Sequence, residues 1–228
     1  MNKKIFKQAF LCTLPVMAGY IVLGMGFGVI LRTKGYGILW SLAMSGFIYA
    51  GSMQYLAVDL LSGGASLITA ALTTLMVNAR HLFYGISMVD KYKSTGKIKP
   101  YLIFSLTDET YSLVCRDDIE EEDKNKYYLL VSLLNQCYWI AGSLLGSVVG
   151  SVITFDTSGI DFALTALFVT VFVEQWLSTK DHIYALIGVV SSVICLLIFG
   201  ADGFLIPAMI VITLILTVLH RREVKADE

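Results

Sequence analysis

Charge is what this chain lacks, and it lacks it in blocks. No Asp, Glu, Lys or Arg occurs from Gly35 to Val58, from Tyr127 to Phe155, from His182 to Ala201 or from Gly203 to Leu219. A helix crossing a bilayer needs about 20 such residues, so at least four crossings are expected from the gaps alone. Over 228 residues, 15% are charged and 56% hydrophobic, with mean hydropathy +0.71. Soluble domains carry about 25% charge and about 45–50% apolar residues, so a soluble globular fold is excluded.

Metal and nucleotide signatures are missing too. Cys12, Cys115, Cys137 and Cys195 stand singly, with no C-x-x-C and no histidine at ligand spacing. There is no H-E-x-x-H zinc motif, and GMGFG at Gly24 to Gly28 lies inside an apolar helix with no strand before it. No cofactor, no metal and no ATP-binding element are expected. The net charge of -1 gives no reason to expect a nucleic-acid partner. AMSG (Ala43 to Gly46) with His81 faintly resembles an intramembrane serine protease, but Ala43 replaces the preceding glycine of that pattern, which leaves an enzyme as a remote alternative.

What remains is an all-α polytopic integral membrane protein. Seven or eight apolar segments can be marked: 9–31, 36–61, 66–89, 100–115, 127–153, 162–178, 183–199 and 204–220. The first follows a basic start, MNKKIFKQAF, and is longer than the ~7–15 residues of a signal-peptide core, so it reads as a retained helix. The segment 100–115 is short for a span and holds Asp108 and Glu109, each costly near a bilayer centre. The run RDDIEEEDKNK (116–126) reads as a solvated loop.

The basic clusters conflict with simple counting. Lys3, Lys4 and Lys7, then Lys91, Lys93, Lys97 and Lys99, then Arg221, Arg222 and Lys225 should all be cytoplasmic by the positive-inside rule. Three full crossings between the first two clusters forbid that. Either the rule is violated, or 36–61 or 66–89 is a broken or re-entrant element, tolerated only where backbone faces protein or a wet cavity. The conflict therefore points towards a transport pathway.

The chain reads as one transmembrane domain, 1–228, with an internal repeat of halves 9–116 and 127–220 as an expectation. Gly24 and Gly28 of YIVLGMGFG match Gly142 and Gly146 of YWIAGSLLG, and Gln54-Tyr55 matches Gln175-Trp176. Gly142, Gly146 and Gly150 recur every four residues, beside Ser143, Ser147 and Ser151, which makes a close-packing helix face.

Three polar interruptions break the apolar runs. In YAGSMQY, Gly51, Ser52 and Gln54 lower helix propensity mid-segment, and a break there would expose backbone able to grip a zwitterion. In VNARHLFYG, Asn78 and His81 share one helix face while Arg80 points elsewhere and needs a partner, a wet surface or a snorkelling position. In SLTDETYSL, Asp108 or Glu109 could pair with Arg80 and leave the other acid to bind protons. Glu174, beside Gln175, is a further candidate acid in the second half.

FIYAGSMQY, VNARHLFYG and SLTDETYSL, in that order behind LPVMAGYIVLGMGFG, resemble the AzlC family of bacterial branched-chain amino acid permeases. The resemblance implies a multi-pass protein of the bacterial inner membrane. It implies a small hydrophobic partner subunit of the AzlD type and export of leucine, isoleucine, valine and sometimes methionine. The family's polar motifs fall on Gly51, Ser52 and Gln54, on Asn78, Arg80 and His81, and on Asp108 and Glu109. With no ATP-binding element, the energy source expected is an ion gradient, most simply protons. An exporter or passive pore for another small neutral solute is the alternative.

Overall fold

The structure is a computed structural model describing residues 3–78, 80–115, 123–152, 169, 172–173, 176–177, 182–200 and 204–227. In chain order its helices are α1 (Lys3–Thr33), α2 (Ile38–Ala43), α3 (Gly51–Ser62), α4 (Leu67–Asn78), α5 (Arg80–Met88), α6 (Lys99–Phe104), α7 (Asp108–Val114), α8 (Lys124–Val152), α9 (Ile183–Phe199) and α10 (Leu205–Asp227). A π-helical turn, Met44–Ile48, continues α2, and a 3-10 turn, Gly96–Ile98, precedes α6. No strand occurs among the described residues.

The chain divides into two compact units, Met1–Leu164 and Thr165–Glu228. In the second, α9 and α10 pack on each other, and a cavity of about 630 Å³ is lined by Phe172, Trp176, His182, Tyr184 and Ile212. The His182 ring lies flat on the Trp176 indole at 4.0 Å.

The first unit is built on α1 and α8, whose 31 and 29 residues reach about 46 and 44 Å at ~1.5 Å per residue. Among the described residues these two helices alone are long and apolar enough to cross a bilayer by themselves. They run parallel. A Cβ on Gly24 would meet Ser143 N at 2.9 Å, one on Gly28 would meet Ser143 O at 2.1 Å, and one on Gly146 would meet Met25 O at 2.0 Å. Further along, Gly150 faces Val29 and Arg32. The two glycine rows thus lie against each other and let the backbones touch, the close approach that small residues permit.

Two short helix pairs dock on this platform from opposite ends. The first leaves α1, descends as α2 and its π turn, and reverses at Tyr49 and Ala50. Tyr49 is at φ 45, the non-glycine residue with positive φ among those described. α3 then climbs back, and Asp59 near its end reaches Lys34, just past α1, at 3.9 Å. The hairpin therefore begins and finishes at the same end of the platform.

α4 and α5 return the chain to the other end, where Met88 and Tyr92 share a core cluster with Ile5 and Ala9 of α1 and Tyr127, Tyr128 and Val131 of α8. From that cluster α6 rises, with Pro100 in its first turn where a missing N–H costs nothing. It reverses at Ser105–Thr107, and α7 descends until Val114 rejoins the same cluster. Thr107 caps α7 by accepting from Thr110 N at 3.2 Å, and Asp108 and Glu109 fill its first turn, where the helix dipole favours negative charge. Lys3, Lys4, Lys7, Lys91 to Lys99, Lys124 and Lys126 all belong to this end.

Candidate functional site

The two hairpin tips meet halfway along α1 and α8. Tyr49 of the first tip lies 6.3 Å from Phe104 of the second, ring to ring. Gln136 on α8 holds both: it donates to Gly46 O at 3.0 Å and accepts from Tyr101 Oη at 2.7 Å. An apolar platform thus carries a polar centre at its middle, and that centre is sorted into two layers along α8.

The upper layer is a latch. Gln54 is fully buried; its Nε2 donates to Ser45 Oγ at 3.3 Å, and its Oε1 accepts from Trp139 Nε1 at 2.9 Å. Ser45 Oγ donates to Ser143 Oγ at 2.8 Å, and Ser41 Oγ donates to Ser143 O at 3.0 Å. Gly51 sits against the same indole, its missing Cβ leaving 3.2 Å to Trp139 Cη2. Ser52, also buried, occupies the first turn of α3 beside them.

The lower layer surrounds Glu109. Tyr20 of α1 donates to Glu109 Oε2 at 2.6 Å and lies 2.8 Å from Thr107 Oγ1. Thr107 donates to Thr110 Oγ1 at 3.0 Å, and Asn135 Nδ2 of α8 donates to the same oxygen at 3.0 Å. Asn135 Oδ1 and the Tyr49 hydroxyl, both buried, have no hydrogen-bond partner. Buried polar atoms normally find partners, so two orphans in one layer single it out.

Asn78 and His81 stand apart from these layers. His81 Nδ1 lies 3.1 Å from Asn78 O, and its ring stands edge-on to Tyr84 at 5.9 Å. Tyr84 in turn stacks on Tyr111 of α7 at 4.7 Å. His81 also lines a cavity of about 210 Å³ with Gly85, Met88, Tyr92, Lys99 and Leu106, towards the lysine-rich end. There burial, with Tyr128 adding to it, pushes the Tyr92 phenol above its usual range, so it stays neutral. Arg80 begins α5, but its side chain lies outside the described residues, and so does its expected pairing with Asp108 or Glu109. Glu174 and Gln175 also lie outside them.

Tyr20, Tyr49, Thr107, Thr110, Asn135 and Trp139 were not singled out from the sequence. A signal for the α8 members exists: Ser132, Asn135, Trp139 and Ser143 recur at three- and four-residue steps, one face of an apolar helix. The faint protease pattern has no geometry behind it, because Ser45 is spent on Ser143 while His81 sits against Asn78 and Tyr84.

Comparison with known proteins fits this organisation. A family profile described as AzlC protein matches residues 15–153, the part holding both hairpins, all of α8 and the later part of α1. The branched-chain amino acid transport protein AzlC of Bacillus subtilis is 44% identical over 233 residues, covering 100% of this chain and 92% of the relative. An uncharacterized membrane protein of Helicobacter pylori is 42% identical over 223 residues, covering 96% of each. The inner membrane protein YgaZ of Escherichia coli is 28% identical over 166 residues, 69% of this chain and 68% of the relative. No solved structure matches the fold. The chain belongs to the AzlC family, a family of transport proteins and not of enzymes.

Proposed function

We propose that this AzlC-family chain is a secondary transporter that exports branched-chain amino acids, with methionine as an occasional substrate, across the bacterial inner membrane. It works with a small hydrophobic AzlD-type subunit and draws on the proton gradient. The observation that carries this reading is the meeting of two helix hairpins, entering from opposite ends, around a half-buried carboxylate beside a helix break. Broken helices whose ends face a polar centre at mid-depth are how transporters hold a charged solute inside lipid. The full-length likeness to a branched-chain amino acid transport protein supports the substrate class.

In this reading both hairpins are re-entrant. α1 crosses outward, α2 and α3 dip in and return, and α4 with α5 crosses inward. Only two crossings then separate the first two lysine clusters, and both fall in the cytoplasm as the positive-inside rule requires. The N-terminal amides of α3, from Gly51 onward, supply dipoles for a carboxylate. Glu109, held by Tyr20, is the candidate proton carrier.

The test loads cells with a leucine-containing dipeptide and follows leucine outside. Co-expression with the small partner should raise efflux well above that of empty cells, and collapsing the proton gradient should abolish the increase. Glu109→Gln should lower the gradient-driven component by about a hundredfold, the loss expected when a charge-assisted contact of ~2–3 kcal/mol is removed. Efflux equal to that of empty cells would remove the branched-chain assignment, and efflux indifferent to the gradient would leave a passive pore.

A further inference from the structure

The lower polar layer can be read atom by atom. Tyr20 spends its proton on Glu109, Thr107 spends its proton on Thr110, and the Asn135 amide nitrogen also donates to Thr110. Asn135 Oδ1, an acceptor, and the Tyr49 hydroxyl, able to donate, are both without partners. Asn135 is 0% exposed and Tyr49 3%. Tyr49 packs in one core cluster with Tyr20 and Trp139, Tyr20 bonds Glu109, and Asn135 lies one turn from Trp139 and bonds Thr110. Both orphans therefore belong to one cluster.

A ligand that satisfies this layer must donate at one point and accept at another. It must also place any positive charge within the field of Glu109, since a buried cation without a countercharge is strongly disfavoured. An α-amino acid does all three. Its ammonium has donors for Asn135 Oδ1, and its carboxylate accepts from Tyr49, at the apex of the broken helix whose next residues begin α3. We infer that Asn135 and Tyr49 are the specificity-determining pair of the transport site: Asn135 receives the substrate's ammonium group and Tyr49 its carboxylate, so that only a zwitterion is fully accepted. This rests on the amino-acid reading above and adds to it the residues that demand the amino group. The aliphatic side chain plays no part in the pair.

The discriminating probe is 4-methyl-2-oxopentanoate, which has the carbon skeleton and carboxylate of leucine with a carbonyl in place of the amino group. Binding of both ligands to the full chain purified in detergent is read by thermal shift over a concentration series. Wild type should prefer leucine by about tenfold to a hundredfold, the span of a hydrogen bond to a charged group. Asn135→Leu should bring leucine down to the level of the oxo acid and leave the oxo acid unchanged. Asn135→Asp, which keeps an acceptor, should retain the preference. Tyr49→Phe should weaken both ligands alike, because both carry the carboxylate.

An Asn135→Leu protein that keeps the wild-type preference, or that loses both ligands in proportion, overturns the inference while leaving amino-acid transport standing. Loss of the preference in Asn135→Asp as well would assign the contact to the amide nitrogen and overturn it equally. A wild type that binds neither ligand removes the amino-acid reading and this inference with it.

Discussion

Two polar layers lie one helical turn apart on α8, and they are built to different standards. Gln54, Ser45, Ser41, Trp139 and Ser143 are all hydrogen-bonded, and the bonds tie three segments, α2, α3 and α8, together; the nearest unpartnered hydroxyl on α8 is Ser147, a turn further along. Around Asn135 a hydroxyl and an amide oxygen are left over. A closed network in low dielectric rigidifies, whereas an open one stores unmet hydrogen-bonding capacity. The upper layer fixes where the first hairpin turns, and the lower layer offers what a solute could take up. Local strain follows the same division, since the left-handed Tyr49 sits where the latch ends and the open layer begins.

The largest effect should come from removing the platform that both layers share. Gly146→Ala would put a Cβ 2.0 Å from Met25 O, and Gly28→Ala would put one 2.1 Å from Ser143 O, both against backbone that cannot swing aside. α1 and α8 must then separate, and each change should cost about 3 kcal/mol or more, at the upper end for overpacking. Gly19→Ala is the control in α1: its Cβ would meet nothing within 4 Å, and better helix propensity should leave it neutral or slightly stabilising. Melting in detergent separates the cases. Equal melting of all three would mean that the helix contact does not govern folding.

A smaller and more specific effect tests the division between layers. Gln54→Leu strands the buried Trp139 N–H and removes a donor to Ser45. Stability should fall by about 1–3 kcal/mol, the cost of an unmade buried bond. Leucine affinity of the protein that remains folded should change by less than about threefold, under 1 kcal/mol. Asn135→Leu is expected to do the reverse, costing affinity more than stability. If Gln54→Leu destroys binding without destabilising the fold, the latch is itself part of the transport site and the comparison fails.

The latch and the open layer also differ in how far they could be read from residues alone. Gly51, Ser52 and Gln54 stand out because glycine and an amide interrupt an apolar run, and the chain does break beside them. The reversal falls on Tyr49, however, and not on the glycine that would adopt it most easily. That shift comes from packing, because Gly51 is needed flat against the Trp139 ring. Asp108 and Glu109 were visible as charges in a short segment, and their place in the first turn of α7 follows from Thr107 as its cap. Asn135 does not stand out in the sequence because LLNQCYWI reads as ordinary helix, and its importance depends on which turn of α8 faces the tips. Tyr20 and Tyr49 do not stand out for a similar reason: an aromatic ring signals packing, and only the fold reveals where its hydroxyl points.

The smallest functional effect should carry the sharpest topological information. Lys34 and Asp59 approach to 3.9 Å with side chains 45% and 71% exposed, so their pairing contributes at most about 1 kcal/mol and neither is needed for the site. Single cysteines at these positions, in a background with Cys12, Cys115, Cys137 and Cys195 replaced, should leave export near the wild-type rate. A membrane-impermeant maleimide added to intact cells should label both, because a re-entrant α2–α3 hairpin returns its two ends to one side. Lys97→Cys, in the turn before α6, should react only after the cells are opened. Labelling of residue 34 and residue 59 from opposite sides would make 36–61 a full crossing. The lysine clusters would then face different compartments, and the tips could not meet at mid-depth from opposite surfaces.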